Sequence, residues 1–189
     1  EGRKKFHPGG QSSTFAETTF LAYAMEMSRE SDEIGRRHTA RQPVFRIGNQ
    51  SPVIFLTVCT HDRLQLLDNP TVHQLLVESW AQADHWLVGY YLVMPDHIHL
   101  FCAPARHDSL SLERWVAYWK SMVTRILRLK ANATPVWQQD KWDRQLRSRD
   151  NYAAQWEYVK HNPVRAGLVE KADDWPYKGE ISVFRWHDT

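Results

Sequence analysis

The sequence of 189 residues lacks long hydrophobic runs and has little cysteine. No apolar run approaches the ~20 residues that a membrane-spanning helix needs. The first residues, EGRKKFHPGG, lack the charged-then-apolar layout of a secretory signal. The two cysteines, Cys59 and Cys102, lie within apolar runs, whereas a disulfide-stapled secreted domain would carry more of them. We therefore expect a cytoplasmic protein with reduced thiols and no membrane contact.

A strong excess of charge of one sign is also missing, since the formal net charge is only +2. The content of 42% hydrophobic and 24% charged residues is that of an ordinary globular chain, which excludes wholesale disorder. Charge is nevertheless uneven, because residues 106–165 hold 12 Lys and Arg against 6 Asp and Glu. This local excess suits a polyanionic partner, and several of the nine tryptophans lie near these basic residues, where an indole can stack on a nucleic-acid base.

The composition divides the chain into two parts. Residues 1–45 are rich in Gly, Ser, Thr and Arg and are predicted to form an N-terminal extension that is flexible or loosely docked. Residues 46–189 carry the regular hydrophobic patterns of a single folded domain. No internal repeat is apparent.

The hydrophobic periodicity of this domain predicts alternating strands and helices. Strands are expected over residues 53–59, 87–93 and 98–103, the last two forming a hairpin, and a loop with a short strand over 137–148. Helices are expected from Asn69-Pro70, over 112–127 and over 150–161. The order β-α-β-β-α-β-α predicts an α+β fold of the ferredoxin-like, split βαβ type. Its antiparallel sheet would carry helices on one face, with an extra C-terminal helix.

Two histidines in the predicted hairpin are separated by one residue. In an extended strand the imidazoles of His97 and His99 point to the same face, which makes half of a metal site. Two strand histidines that are hydrogen-bonded to their neighbours would give the same pattern, and spacing alone leaves both interpretations open.

Tyr158 and Asn162 are four residues apart in the last predicted helix, so we expect them to share a face. The tyrosine hydroxyl would then project into a cleft that an amide oxygen could also reach. Each residue has a purely structural alternative as well. Tyr158 can pack with its hydroxyl bonded to water, and Asn162 can cap the turn that Pro163 begins.

Considered together, these segments resemble a known family. YLVMPDHIHLF, residues 91–101, resembles the His-hydrophobic-His strand of the HUH endonuclease superfamily, and EYVKHNPVRAGLV, residues 157–169, resembles the catalytic helix of the REP-associated tyrosine transposases. The resemblance covers about residues 43–180, including VIFLTVCTHDR and the terminal DWP.

The resemblance implies a metal-dependent DNA transposase that nicks and joins single-stranded, hairpin-flanked DNA. It places Tyr158 on the nucleophile that forms a 5′-phosphotyrosine, and His97, His99 and Asn162 on the ligands of Mg²⁺ or Mn²⁺. Relatives act as monomers or homodimers, so either state is expected. The implied catalytic domain spans residues 46–189.

The basic residues near these motifs are candidate phosphate contacts, although any one of them can belong to an ordinary solvated surface. The set comprises Arg114, Lys120, Arg125, Arg128, Arg144, Arg147, Arg149, Lys160 and Arg165. A non-catalytic regulator that binds hairpin DNA and a nickase of the replication-initiator type are the alternative functions.

Overall fold

A computed structural model describes residues 52–131, 135–146 and 149–184. The predicted N-terminal extension, residues 1–45, lies outside the described residues. Five strands and four α-helices occupy the described ranges: β1 (Ile54–Thr60), α1 (Pro70–Gln82), β2 (Trp86–Val93), β3 (His97–Pro104), α2 (Leu112–Ala131), β4 (Trp137–Gln145), α3 (Arg149–Lys160), α4 (Asn162–Arg165) and β5 (Lys178–Glu180). None of the helices in these ranges has both the length and the hydrophobicity to cross a bilayer.

The strands form one antiparallel sheet in the order β4-β1-β3-β2-β5. Its first four strands and the two helices that connect them reproduce the split βαβ topology, which confirms the predicted fold. Strand β5 pairs with β2 and was not predicted, because three residues, Lys-Gly-Glu, are too few and too polar to show strand periodicity.

The two faces of the sheet have separate cores. Alternate residues of β1 and β3, such as Leu56 and Ile98, pack with the fully buried Trp115 and Trp119 of α2 and with α1. On the other face, Phe55 and residues around it pack against α3. The two long helices therefore share one face, as predicted, and the extra C-terminal helix covers the other. At about 1.5–3 kcal/mol for each large buried side chain, these two cores provide the main stabilisation of the domain.

The entry of α1 is fixed by the residues that predicted it. The side-chain oxygen of Asn69 accepts a hydrogen bond from the backbone N–H of Val72 at 3.0 Å. Pro70 occupies the first turn, where its missing N–H leaves no hydrogen bond unmade. This cap defines where α1 begins.

Strand β4 begins at Trp137, where the sequence predicted a loop before a short strand. Its sequence WQQDKWDRQ is polar at positions that face both sides, because β4 lies at the edge of the sheet. Lys141 compensates for this polarity by pairing with Asp143 at 2.7 Å and with Glu113 of α2 at 3.7 Å. Polar pairs thus replace the apolar alternation that marks the inner strands.

Candidate active site

The imidazoles of His97 and His99 converge on β3. Their Nε2 atoms lie 3.1 Å apart, on the face of the sheet that is opposite α1 and α2. The Nδ1 atom of His97 is 2.6 Å from Oδ1 of Asp96, and the Nδ1 atom of His99 is 2.9 Å from the hydroxyl of Thr57. When each Nδ1 carries the ring proton and donates it to its own partner, the lone pairs of both Nε2 atoms are free and lie close together. We call His97 and His99 the histidine pair.

Strand pairing explains how Thr57 reaches His99. The two residues lie directly opposite each other in the β1–β3 register, so their side chains project from the same face. The ring of Phe55, two residues earlier in β1, stacks on the His99 ring with centroids 5.5 Å apart and planes 20° apart. The imidazole is therefore held both by a hydrogen bond and by packing.

Sequence reasoning did not identify Thr57 or Asp96 as part of this site. A signal was present for each: Thr57 is the polar residue inside the apolar run of β1, and Asp96 directly precedes His97. Assigning their roles required the strand register, which the sequence pattern did not provide.

The charge states favour a metal-binding histidine pair. Burial lowers the pKa of His99 well below its ordinary value, and the nearby His97, Arg165 and Arg63 lower it further. Burial acts to raise the pKa of Asp96, but the hydrogen bond and charge of His97, with Arg63, lower it overall. His99 is therefore neutral and Asp96 ionised near pH 7, the states that a metal-binding imidazole and its orienting carboxylate require.

The geometry of the histidine pair fits a divalent ion. Two ligands at ~2.1 Å and at right angles on an octahedral ion lie ~3.0 Å apart, close to the observed 3.1 Å. The described residues contain no group of three or more His, Cys, Asp or Glu side chains that could hold a metal. Cys102 of β3 packs in the core on the side of α1 and α2, as strand alternation predicted, whereas Cys59 of β1 lies opposite His97. Within the part of the chain that the structure describes, a third ligand would therefore have to be another group, such as an amide oxygen.

Tyr158 and Asn162 lie on either side of a break between helices, not on one continuous helix. Helix α3 ends at Lys160, His161 has φ −88° and ψ 0°, and α4 starts at Asn162. Pro163 has no N–H to continue the helical hydrogen bonds, which explains why the predicted common face is interrupted. Both side chains are half-buried.

Arg165 joins these two residues. Its guanidinium carbon lies 4.1 Å from the centroid of the Tyr158 ring, and its Nη2 donates to the Tyr158 carbonyl oxygen at 2.8 Å. The same nitrogen donates to the side-chain oxygen of Asn162. Lys160 is engaged elsewhere, because its Nζ pairs with Glu157 at 2.8 Å. Arg165 is thus the basic residue in contact with the tyrosine.

Helix α3 brings this tyrosine segment to the face of the histidine pair. Val159 is buried in the core that includes Phe55 and Phe101, and Tyr158 packs at its border. Arg165, which contacts Tyr158 and Asn162, is one of the cations that lower the pKa of His99.

The candidate phosphate contacts separate into groups. Arg114, Lys120 and Arg125 lie on α2, across the sheet from the histidine pair, where Lys120 and Arg125 line an open groove of about 720 Å³. Arg144 of β4 lies opposite Phe55, so it is on the same face of the sheet as the histidine pair. Arg165 is assigned to this face because it contacts Tyr158. Arg147 and the side chains of Arg128 and Arg149 lie outside the described residues.

The chain is similar to proteins of known type. No family model matches it. A Haemophilus influenzae protein assigned to the REP-associated tyrosine transposases is 33% identical over 96 residues, which cover 45% of this chain and 53% of that protein. The REP-associated tyrosine transposase of Escherichia coli K12 is 30% identical over 91 residues, covering 48% of this chain and 52% of that protein. The chain thus spans about half the length of the curated relatives it matches.

A solved structure shares the fold. The REP-associated tyrosine transposase bound to a REP hairpin superposes with a TM-score of 0.61 at 23% identity, covering 75% of this chain and 82% of that one. The sequence matches confirm the predicted resemblance to the REP-associated tyrosine transposases, and the structural match shows that the chain shares their fold.

Proposed function

We propose that this protein nicks and joins single-stranded, hairpin-flanked DNA through a 5′-phosphotyrosine at Tyr158, with the help of Mg²⁺ or Mn²⁺. The observation that carries the proposal is the convergence of the two Nε2 atoms on the sheet face that α3 covers. The names of its relatives and the REP hairpin bound to its structural neighbour support the choice of DNA.

His97, His99 and Asn162 are the residues that would hold the ion. When bound, it withdraws charge from a non-bridging phosphate oxygen and orients the phosphate. The Asn162 oxygen has two lone pairs, so it can accept from Arg165 and still act as a ligand.

The reaction makes Tyr158 a temporary carrier of the DNA 5′ end. Its hydroxyl oxygen forms a bond to phosphorus and loses its proton, while the bond from phosphorus to the 3′ oxygen breaks and that oxygen gains a proton. The phosphodiester becomes a phosphotyrosine ester without hydrolysis, so a 3′-hydroxyl can attack it and rejoin the strands.

Arg165 positions the nucleophile in this proposal. Its stack on the Tyr158 ring and its hydrogen bond to the Tyr158 backbone restrict the orientation of the side chain. Holding a nucleophile near its attack geometry lowers the barrier without any additional chemistry.

The packing of α3 on the sheet of its own chain favours a complete active site within one subunit, and therefore a functional monomer. Mixing Tyr158→Phe with His97→Ala tests this, because two inactive proteins that exchange active-site parts would regain adduct formation together. We expect no regain. Recovery would show a homodimer with a shared site.

The proposed function is tested with a labelled single-stranded oligonucleotide that carries the hairpins flanking the gene. We expect wild-type protein and Mn²⁺ to give a covalent adduct on a denaturing gel, and Tyr158→Phe and His97→Ala to give none. Tyr158→Phe should keep its DNA affinity within about tenfold, since one hydroxyl contributes roughly 1 kcal/mol. The matched control is Tyr118→Phe, which changes an exposed tyrosine of α2 and should form the adduct normally. Binding without an adduct in the wild type would favour the non-catalytic regulator.

A further inference from the structure

We propose that Trp142 and Arg144, on the edge strand β4, form a subsite that stacks an unpaired base of the DNA strand beside the histidine pair. We call these two residues the stacking subsite. The inference rests on the proposed function, because it identifies where the single strand runs from the phosphate that Tyr158 attacks.

The strand register places Trp142 in line with the histidine pair. Trp142 lies directly opposite Thr57 of β1, and Thr57 lies directly opposite His99 of β3. Residues paired in this way project from the same face. Two strand spacings of ~4.8 Å each put Trp142 roughly 10 Å from His99 across the sheet. A strand bound at the histidine pair can therefore reach the indole.

The packing of Trp142 allows a ligand base to stack on its indole ring. The indole is half-buried and meets the Phe55 ring edge-to-face, with centroids 5.4 Å apart and planes 77° apart. Trp156, another half-buried tryptophan on this face, is already stacked on Tyr90, with centroids 4.5 Å and planes 4° apart. Among these two indoles, Trp142 is the one on the outer strand, where a base can approach it.

Arg144 supplies the charge that a nucleic-acid strand requires. It is exposed, lies two residues after Trp142 in β4, and faces the same side of the sheet, opposite Phe55. An aromatic ring beside a cation is the arrangement that holds single-stranded DNA, since the ring stacks on a base and the cation binds the backbone. Bases inside a duplex are already stacked on both sides, so the subsite selects an unpaired segment.

The test compares two DNA probes at one stated salt concentration: a gene-flanking hairpin with its single-stranded extension, and the same hairpin without it. Trp142→Leu keeps apolar packing on Phe55 but removes the aromatic face. We expect this variant to bind the extended hairpin about 5- to 100-fold more weakly and the unextended hairpin as the wild type does. Trp142→Phe should recover most of the lost affinity. Arg144→Gln should bind the extended probe more weakly, and this affinity should depend less on salt concentration than that of the wild type.

Tyr118→Leu, which removes an exposed aromatic ring on the other side of the sheet, is the matched control and should bind both probes normally. Abasic substitutions along the extension provide the decisive readout. At one position of the extension, removing the base should cause no further loss of affinity in Trp142→Leu. At that position the base and the indole act through the same contact, so removing both costs no more than removing one.

Equal losses for both probes, or no loss for the extended one, would overturn the stacking subsite, with folding checked by thermal unfolding of each variant. Such a result is distinguishable from failure of the proposed function, because the wild type would still form the covalent adduct in the same samples.

Discussion

The hydroxyl of Thr57 offers a sharp test of the histidine pair as a metal site. Thr57→Val replaces this hydroxyl by a methyl group of nearly the same size and leaves the Nδ1 of His99 without its partner at 2.9 Å. Both histidines themselves remain. If Thr57 serves to orient His99, the change should impair metal binding far more than folding.

The expected size follows from the contact that is lost. Removing the hydrogen-bonding partner of a metal-bound histidine typically weakens metal binding ~10- to 100-fold. The same hydrogen bond contributes only about 1 kcal/mol to folding, and the valine methyl lies at a half-buried position of a mainly apolar strand. The melting temperature should therefore change by a few degrees at most.

Isothermal titration with Mn²⁺, with no DNA present, measures the affinity directly. Thr57→Ser restores a hydroxyl and should recover most of it. Thr124→Val, which removes a half-buried hydroxyl from α2, should bind Mn²⁺ as the wild type does. If Thr57→Val binds Mn²⁺ with wild-type affinity, the hydrogen bond does not orient a metal ligand and the reasoning is wrong.

Three further predictions address other parts of the molecule. Arg165→Gln should slow adduct formation at saturating DNA about tenfold or more, because its stacking and hydrogen bonds to the tyrosine segment are lost. The Kd for DNA should change less than this rate. Equal changes in the rate and the Kd would indicate that Arg165 contacts a phosphate instead. Gly89→Ala should lower the free energy of unfolding by about 1–3 kcal/mol, because its Cβ would lie 2.7 Å from the ring of Phe184; urea denaturation measures this, and an unchanged value would contradict it. Burial lowers the pKa of His73, so below pH ~6.5 its protonation favours the unfolded chain. As the pH falls from 8 to 5, the melting temperature of His73→Gln should therefore rise relative to that of the wild type. A difference that stays constant with pH would contradict this.

Local periodicity was enough to predict the fold and the shared face of His97 and His99. Strong apolar runs identified the inner strands and the helices α1 and α2, and their order gave the topology. Strand alternation alone placed His97 and His99 on one face and Cys102 on the other. These features depend on neighbours in sequence, which the pattern records directly.

The rest depends on contacts between distant segments. Thr57 is 42 residues from His99 in sequence, and only the β1–β3 register brings them together. The charge of Arg165 made it a candidate phosphate contact, but its contact with Tyr158 forms across the helix break at His161. The edge strand β4 was predicted only as a loop with a short strand, because ion pairs, such as that of Lys141, satisfy positions that are apolar in inner strands.

The central claim is that Tyr158 carries the DNA, and mass spectrometry of the trapped adduct tests it most directly. Trypsin should release residues 150–160, DNYAAQWEYVK, a peptide that contains both the buried Tyr152 and Tyr158. After nuclease digestion, fragment ions should assign the added nucleotide mass to Tyr158. A nucleotide on Tyr152 or on a residue outside this peptide, or a wild-type protein that binds and cuts the DNA without any covalent mass, would contradict the account.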